Sequence, residues 1–209
     1  WLMWKVTGKK LFWVVWAFPI WFNLFVGQVD LLLALLASLL GPWVLPILVV
    51  KPQVGFVLAP WIIKQTSYKK LFQVILITMG FILFTFLLRP TWFSEWLAIA
   101  PSLSQYARRD ANLYWLVPLT LKQIAVALGV IFALFISLFI KERRESWIFL
   151  HLFAPLTNIY SASVLTEWIG PVEVILSWFI ILLVGDIHSG APMFVIAISI
   201  LIRKLGKSW

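Results

Sequence analysis

Three stretches of this 209-residue chain set chemically capable side chains inside apolar sequence. The first is Lys51-Pro52-Gln53, between PILVV and VGFVLAPW. The proline disfavours helical backbone at Lys51 and leaves nearby carbonyls without intrahelical partners. An ammonium at such a break suits an anionic group such as phosphate. At a membrane surface the same side chain would snorkel to headgroups, and spacing alone leaves both readings open. The second stretch is Gly27-Gln28-Val29-Asp30, preceded by Asn23. Here Asp30 suits the cap of the following helix, and Gln28 suits a turn or a polar contact in a cavity. The third is HLFAPLTNIY, where His151, Thr157, Asn158 and Tyr160 surround Pro155. Arg108 and Arg109 add two adjacent guanidiniums, able to clamp a phosphate or to stay solvated beside a membrane. A charge inside a membrane segment costs about 2.5–3.5 kcal/mol on insertion scales, which makes each such group a functional candidate. Glu167 and Glu173, flanking Gly170-Pro171, are expected at a surface, and His188 in a turn.

The elements that must position these groups are set by composition. The chain is 63% apolar and 12% charged, has no cysteine, and has a mean hydropathy of +1.00. A soluble domain is about half apolar and about a quarter charged. Disorder is excluded by this hydrophobicity, and a disulfide framework or Cys-ligated metal by the missing cysteines. A single soluble core lacks the polar residues to cover it. The apolar runs are continuous, unlike barrel strands that alternate over about ten residues. The expected fold class is therefore all-α: one polytopic transmembrane helical bundle over residues 1–209, with about six to eight membrane segments, some broken or re-entrant. Residues 70–88 and 119–140 read as the clearest spans. Between them, residues 89–113 form the longest polar connection, and Trp92 and Trp96 suit an interfacial helix there. Residues 11–26, 29–50 and 147–168 are interrupted by Pro19, Gly41-Pro42, Pro46 and Pro155.

The net charge of +9 lies in clusters between apolar runs, among them Lys64, Lys69 and Lys70, then Lys141, Arg143 and Arg144, then Arg203, Lys204 and Lys207. That pattern points to cytoplasmic loops on anionic lipid, not to nucleic acid. Placing all three clusters on one side requires residues 147–168 to enter and leave the membrane by the same face. No P-loop, dinucleotide glycine motif, HExxH or nucleophile elbow occurs, so no cofactor and no metal are expected.

The order of FNLFVGQVDLLLALLASLLG, a Lys-Pro-Gln break about twenty residues later, an apolar run and a basic loop resembles glycosyltransferase family 87, the C-type membrane enzymes that use polyprenyl-phosphate sugars. In that family a Gly-Gln-Val/Ile-Asn/Asp element opens one membrane helix and a Lys-Pro element breaks the next. Here they read Gly27-Gln28-Val29-Asp30 and Lys51-Pro52-Gln53. The later PLTNIYSASVL resembles the family's Ser-Pro-containing segment, with Ala154 where Ser is common. The resemblance covers roughly residues 15–185. It implies inverting transfer of a hexose such as mannose from a polyprenyl-phosphate donor, in a bacterial inner or cell membrane. Lys51, with Arg108 and Arg109, would contact the donor phosphate, and Gln28, Gln53 and Asn158 would orient sugar or phosphate oxygens. Members of the family are longer, and their catalytic aspartate lies in an early extracytoplasmic loop with no counterpart here. The chain, which starts at Trp1, is therefore expected to be the C-terminal part or a shortened relative of such an enzyme, without its general base. The alternative is a non-catalytic accessory or scaffolding subunit of a larger membrane complex, binding lipids or pigments.

Overall fold

Proline and glycine punctuate the chain where its helices start and stop. The computed structural model describes residues 1–26, 29–49, 51–99, 113–118, 120–154, 165–185 and 191–205, and among these there is no strand. The helices are α1 (Leu2–Thr7), α2 (Leu11–Trp16), α3 (Phe18–Val26), α4 (Asp30–Leu40), α5 (Leu45–Leu48), α6 (Pro52–Lys64), α7 (Tyr68–Leu88), α8 (Trp92–Ile99), α9 (Lys122–Ser137), α10 (Arg143–Phe153), α11 (Pro171–Val184) and α12 (Ala191–Leu205). Pro52 and Pro171 each occupy a first helical position, where the missing N–H removes no intrahelical bond. Gly41 ends α4 with φ 56°, a backbone conformation that disfavours any residue with a Cβ.

By length and composition, two stretches among the described residues could cross a membrane, Tyr68–Leu88 and Asp30–Leu48, the second interrupted at Gly41. Among the described residues, the expected six to eight full spans are not shown. The span expected over 119–140 shortens to α9, of 16 residues, about 24 Å at 1.5 Å per residue. Its C-terminus is fixed by Lys64, whose ammonium donates to the carbonyls of Leu138 (2.5 Å) and Ile140 (2.8 Å). Those carbonyls have no helical partner, and a lysine there also complements the negative end of the dipole.

Polar contacts define two ends of the bundle. Lys64 joins the C-terminus of α6 to that of α9. Arg143, at the start of α10, pairs with Glu167 at 2.5 Å, and Trp147 meets Trp168 edge to face. The start of α10 and residues 167–168 therefore meet at this basic end. Arg203 near the end of α12 pairs with Glu173 near the start of α11 at 3.1 Å, so the antiparallel α11–α12 pair closes at the same end. The other end carries Arg89 and α8, with Trp92 packed on Phe86. There Glu95 accepts from Thr91 and Arg89, and these bonds hold its carboxyl below the ordinary glutamate value, the Thr91 hydroxyl contributing most.

The interior is a mostly apolar core that includes a few polar side chains, and the exterior is apolar as well. Asn23, Asp30, Ser146, His151, Thr166, Glu173 and Ser177 are buried. Large apolar side chains face outward along α7 (Leu76, Leu83), α9 (Leu128, Ile131, Phe135) and α11 (Ile175, Phe179, Leu182). Only 6% of the apolar stretch of α7 is buried. A continuous apolar exterior of this extent marks contact with lipid or with another apolar partner.

Candidate functional site

Lys51 lies between helices, with φ −138° and ψ 85°. Pro52 excludes it from α6, as its sequence neighbour dictates. Its backbone carbonyl still accepts from Gly55 N–H and closes the first turn of α6. Its ammonium forms an ion pair with Asp30, the first residue of α4. Asp30 is fully buried, whereas the Lys51 side chain is 17% exposed.

This pair decides the path of the chain. A straight helix over Asp30–Leu48 would place Lys51 about 30 Å from Asp30. They meet because α4 stops at Gly41 and the chain doubles back through a 3-10 turn (Gly41–Val44) and α5. Trp43 lies near the start of α7, under Lys70 at 5.4 Å. Val49 lies near its far end, sharing a cavity with Ile82 and Thr85. Helix α6 then returns to the basic end over 13 residues, about 20 Å. Relative to the 21 residues of α7, about 31 Å, the ion pair sits well inside the slab that α7 measures out.

The expected cap role of Asp30 is corrected. Val29 occupies the cap position and α4 has no side-chain cap hydrogen bond. The Asp30 carboxylate lies one residue further on, inside the helix, where Lys51 takes it. Glu173 is likewise corrected from surface to interior. It is fully buried, and it accepts from Gly170 N–H (2.9 Å) and Ser199 Oγ (2.9 Å) besides pairing with Arg203. A charge this deep needs such a full set of partners. Glu167 is half-buried beside Arg143.

Of the other residues expected at the site, Gln53 is in the first turn of α6, two positions beyond Lys51. Its Oε1 is buried and accepts no hydrogen bond among the described residues. Gln28, Arg108, Arg109 and Asn158 lie outside the described residues, as does His188. His151 is fully buried on α10, and neither ring nitrogen has a hydrogen-bond partner among the described residues. No cluster of metal-ligating side chains occurs among the described residues.

Models of protein families, curated proteins and solved structures were all compared with the chain, and none matches. The site therefore rests on its own geometry: an ammonium at a helix break, a buried carboxylate opposite it, and an amide oxygen beside it that lacks a donor.

The sequence gives each member of the Asp30–Lys51 pair as an isolated charge in an apolar run. It does not give the pairing, although opposite charges so placed are each other's cheapest neutralisation. The same signal was present in Glu173 and Arg203.

Proposed function

We propose that the chain is a multi-pass protein of a bacterial inner or cell membrane, of the family 87 glycosyltransferase type, that holds a polyprenyl-phosphate hexose at the break around Lys51. The observation that carries this reading is the exchangeable pair. Lys51 keeps part of its side chain exposed and pairs with the buried Asp30 carboxylate, and an entering lipid phosphate would take the place of Asp30. The ammonium would then stabilise the phosphate as the glycosidic bond breaks. Gln53 Oε1, which lacks a donor, would accept from a sugar hydroxyl. The polyprenyl tail would lie along the apolar exterior, and residues 147–168 would form a re-entrant segment. Asp30 is not assigned as the general base for the acceptor hydroxyl, because it belongs to the Gly27-Gln28-Val29-Asp30 element and not to an early extracytoplasmic loop.

The test is binding of a polyprenyl-phosphate mannose to wild type and to the paired variant Asp30→Asn/Lys51→Met, which removes both charges and so spares the fold. Loss of binding by the folded double variant supports the reading. Undiminished binding by it refutes the phosphate assignment at Lys51. A second reading is a non-catalytic membrane subunit, favoured by the closed state of the pair, in which Asp30 already neutralises Lys51. It predicts that the wild type, folded and in membrane, binds no donor sugar lipid.

A further inference from the structure

The basic end holds a cavity of about 400 Å³ at the meeting of α4, α6, α7 and α10. Gln65, Thr66, Ser67, Lys70 and Arg143 bring polar groups to it, and Trp61 and Trp147 line it with rings. We propose that this cavity binds a phosphate monoester or diester, the headgroup of an anionic phospholipid or a free phosphate. It is separate from the Lys51 break, which lies at the other end of α6.

Four observations converge on an anion. Lys70 and Arg143 bring two cations from different helices to one cavity. Lys70 makes a ring contact with Trp43. Arg143 pairs with Glu167 through one nitrogen, Nη2, and a guanidinium carries five N–H donors. The second observation is the N-terminus of α7, a 21-residue helix with no acidic residue in its first turn and no side-chain cap bond at Ser67. Its free N–H groups and dipole favour negative charge. The third is Trp147. It is 1% exposed, closes one wall of the cavity, and its ring lies under the Arg143 guanidinium at 5.1 Å, which holds that cation at the cavity. The fourth is sign: Lys64, Lys69, Lys70, Lys141, Arg143 and Arg144 surround this end, outnumbering Glu142, Glu145 and Glu167.

The surroundings favour a lipid as the source. The cavity opens beside α7, whose apolar stretch is almost wholly exposed, with Phe72 and Leu76 outward next to Lys70. Acyl chains lying on that face would deliver a headgroup to the cavity, in the way basic pockets between membrane helices hold anionic lipid.

The experiment uses the full chain in neutral detergent. Retained phospholipid is measured by native mass spectrometry, and thermal unfolding is followed with phosphatidylglycerol, phosphatidylcholine or inorganic phosphate added. Phosphatidylglycerol is expected to be retained and to stabilise more than phosphatidylcholine. Lys70→Gln should lower that retention about five-fold, the worth of one lysine near an anionic surface, while Lys69→Gln leaves it unchanged. Arg143→Gln also breaks the Glu167 pair, so Lys70→Gln carries the decision. Equal stabilisation by inorganic phosphate, lost in Lys70→Gln, would establish the site with free phosphate as its ligand. Retention indifferent to Lys70→Gln, or no response to either phosphate source, overturns the proposal.

Discussion

Breaking the Asp30–Lys51 pair from its two sides should have unequal costs. Removing one partner of a buried pair costs about 3–5 kcal/mol, because the other charge stays in a medium that cannot solvate it. Lys51→Met leaves the Asp30 carboxylate, which is fully buried, and the full range applies. Asp30→Asn leaves Lys51, whose side chain is 17% exposed and carries a long stem. That ammonium can shift toward polar surroundings, so its loss of partner should cost less, about 1–3 kcal/mol. The double variant carries no charge at the break and should lie near wild type. A double-mutant cycle then gives a coupling of about 4–8 kcal/mol, because the two single costs add while the double variant costs almost nothing. The assay is denaturant unfolding of the full chain in detergent, comparing midpoints at constant slope. If both single variants lie within about 0.5 kcal/mol of wild type, the pair does not hold the doubled-back chain together. The premise of an exchangeable phosphate site then goes with it. If Asp30→Asn proves costlier than Lys51→Met, the burial argument has the wrong sign.

Gly129→Ala should destabilise by about 1–3 kcal/mol in the same assay, because a Cβ there would sit 2.3 Å from the Tyr114 hydroxyl. Tyr114→Phe, which loses the bond to the Phe153 carbonyl (3.0 Å), should cost about 1 kcal/mol by denaturant midpoint. Glu173→Gln should lower stability by about 1–3 kcal/mol, moderated by the part-exposed Arg203 partner; a midpoint equal to wild type would return Glu173 to the surface role expected from sequence. The Glu95 carboxyl should titrate below a reference glutamate by carbon NMR, and Thr91→Ala should raise its midpoint. Because its folded pKa is depressed, its contribution to holding α8 is present above the unfolded value and is lost as pH falls through the folded one.

The helical class was legible because apolar runs of this length admit no other backbone. The break at Lys51-Pro52 was visible from the proline, and the helix after Arg89 from Trp92 and Trp96. Lengths were less legible: α9 stops at Ser137 because Lys64, from another helix, takes its terminal carbonyls. Hydropathy reports how apolar a residue is. It does not report which cation reaches it from elsewhere in the fold.

By itself, then, the sequence determined an all-α chain with an apolar exterior, basic clusters at the helix edges and a break at Lys51-Pro52. Those follow from local chemistry: side-chain transfer energy, and a proline ring that acts on its immediate neighbours. Only the tertiary structure decided that α4 turns back at Gly41, that Asp30 neutralises Lys51, that Glu173 is interior, and that Lys70 and Arg143 face one cavity. Each is a meeting of residues far apart in sequence. The cost of an unpaired buried charge makes such meetings necessary, but packing selects the partner.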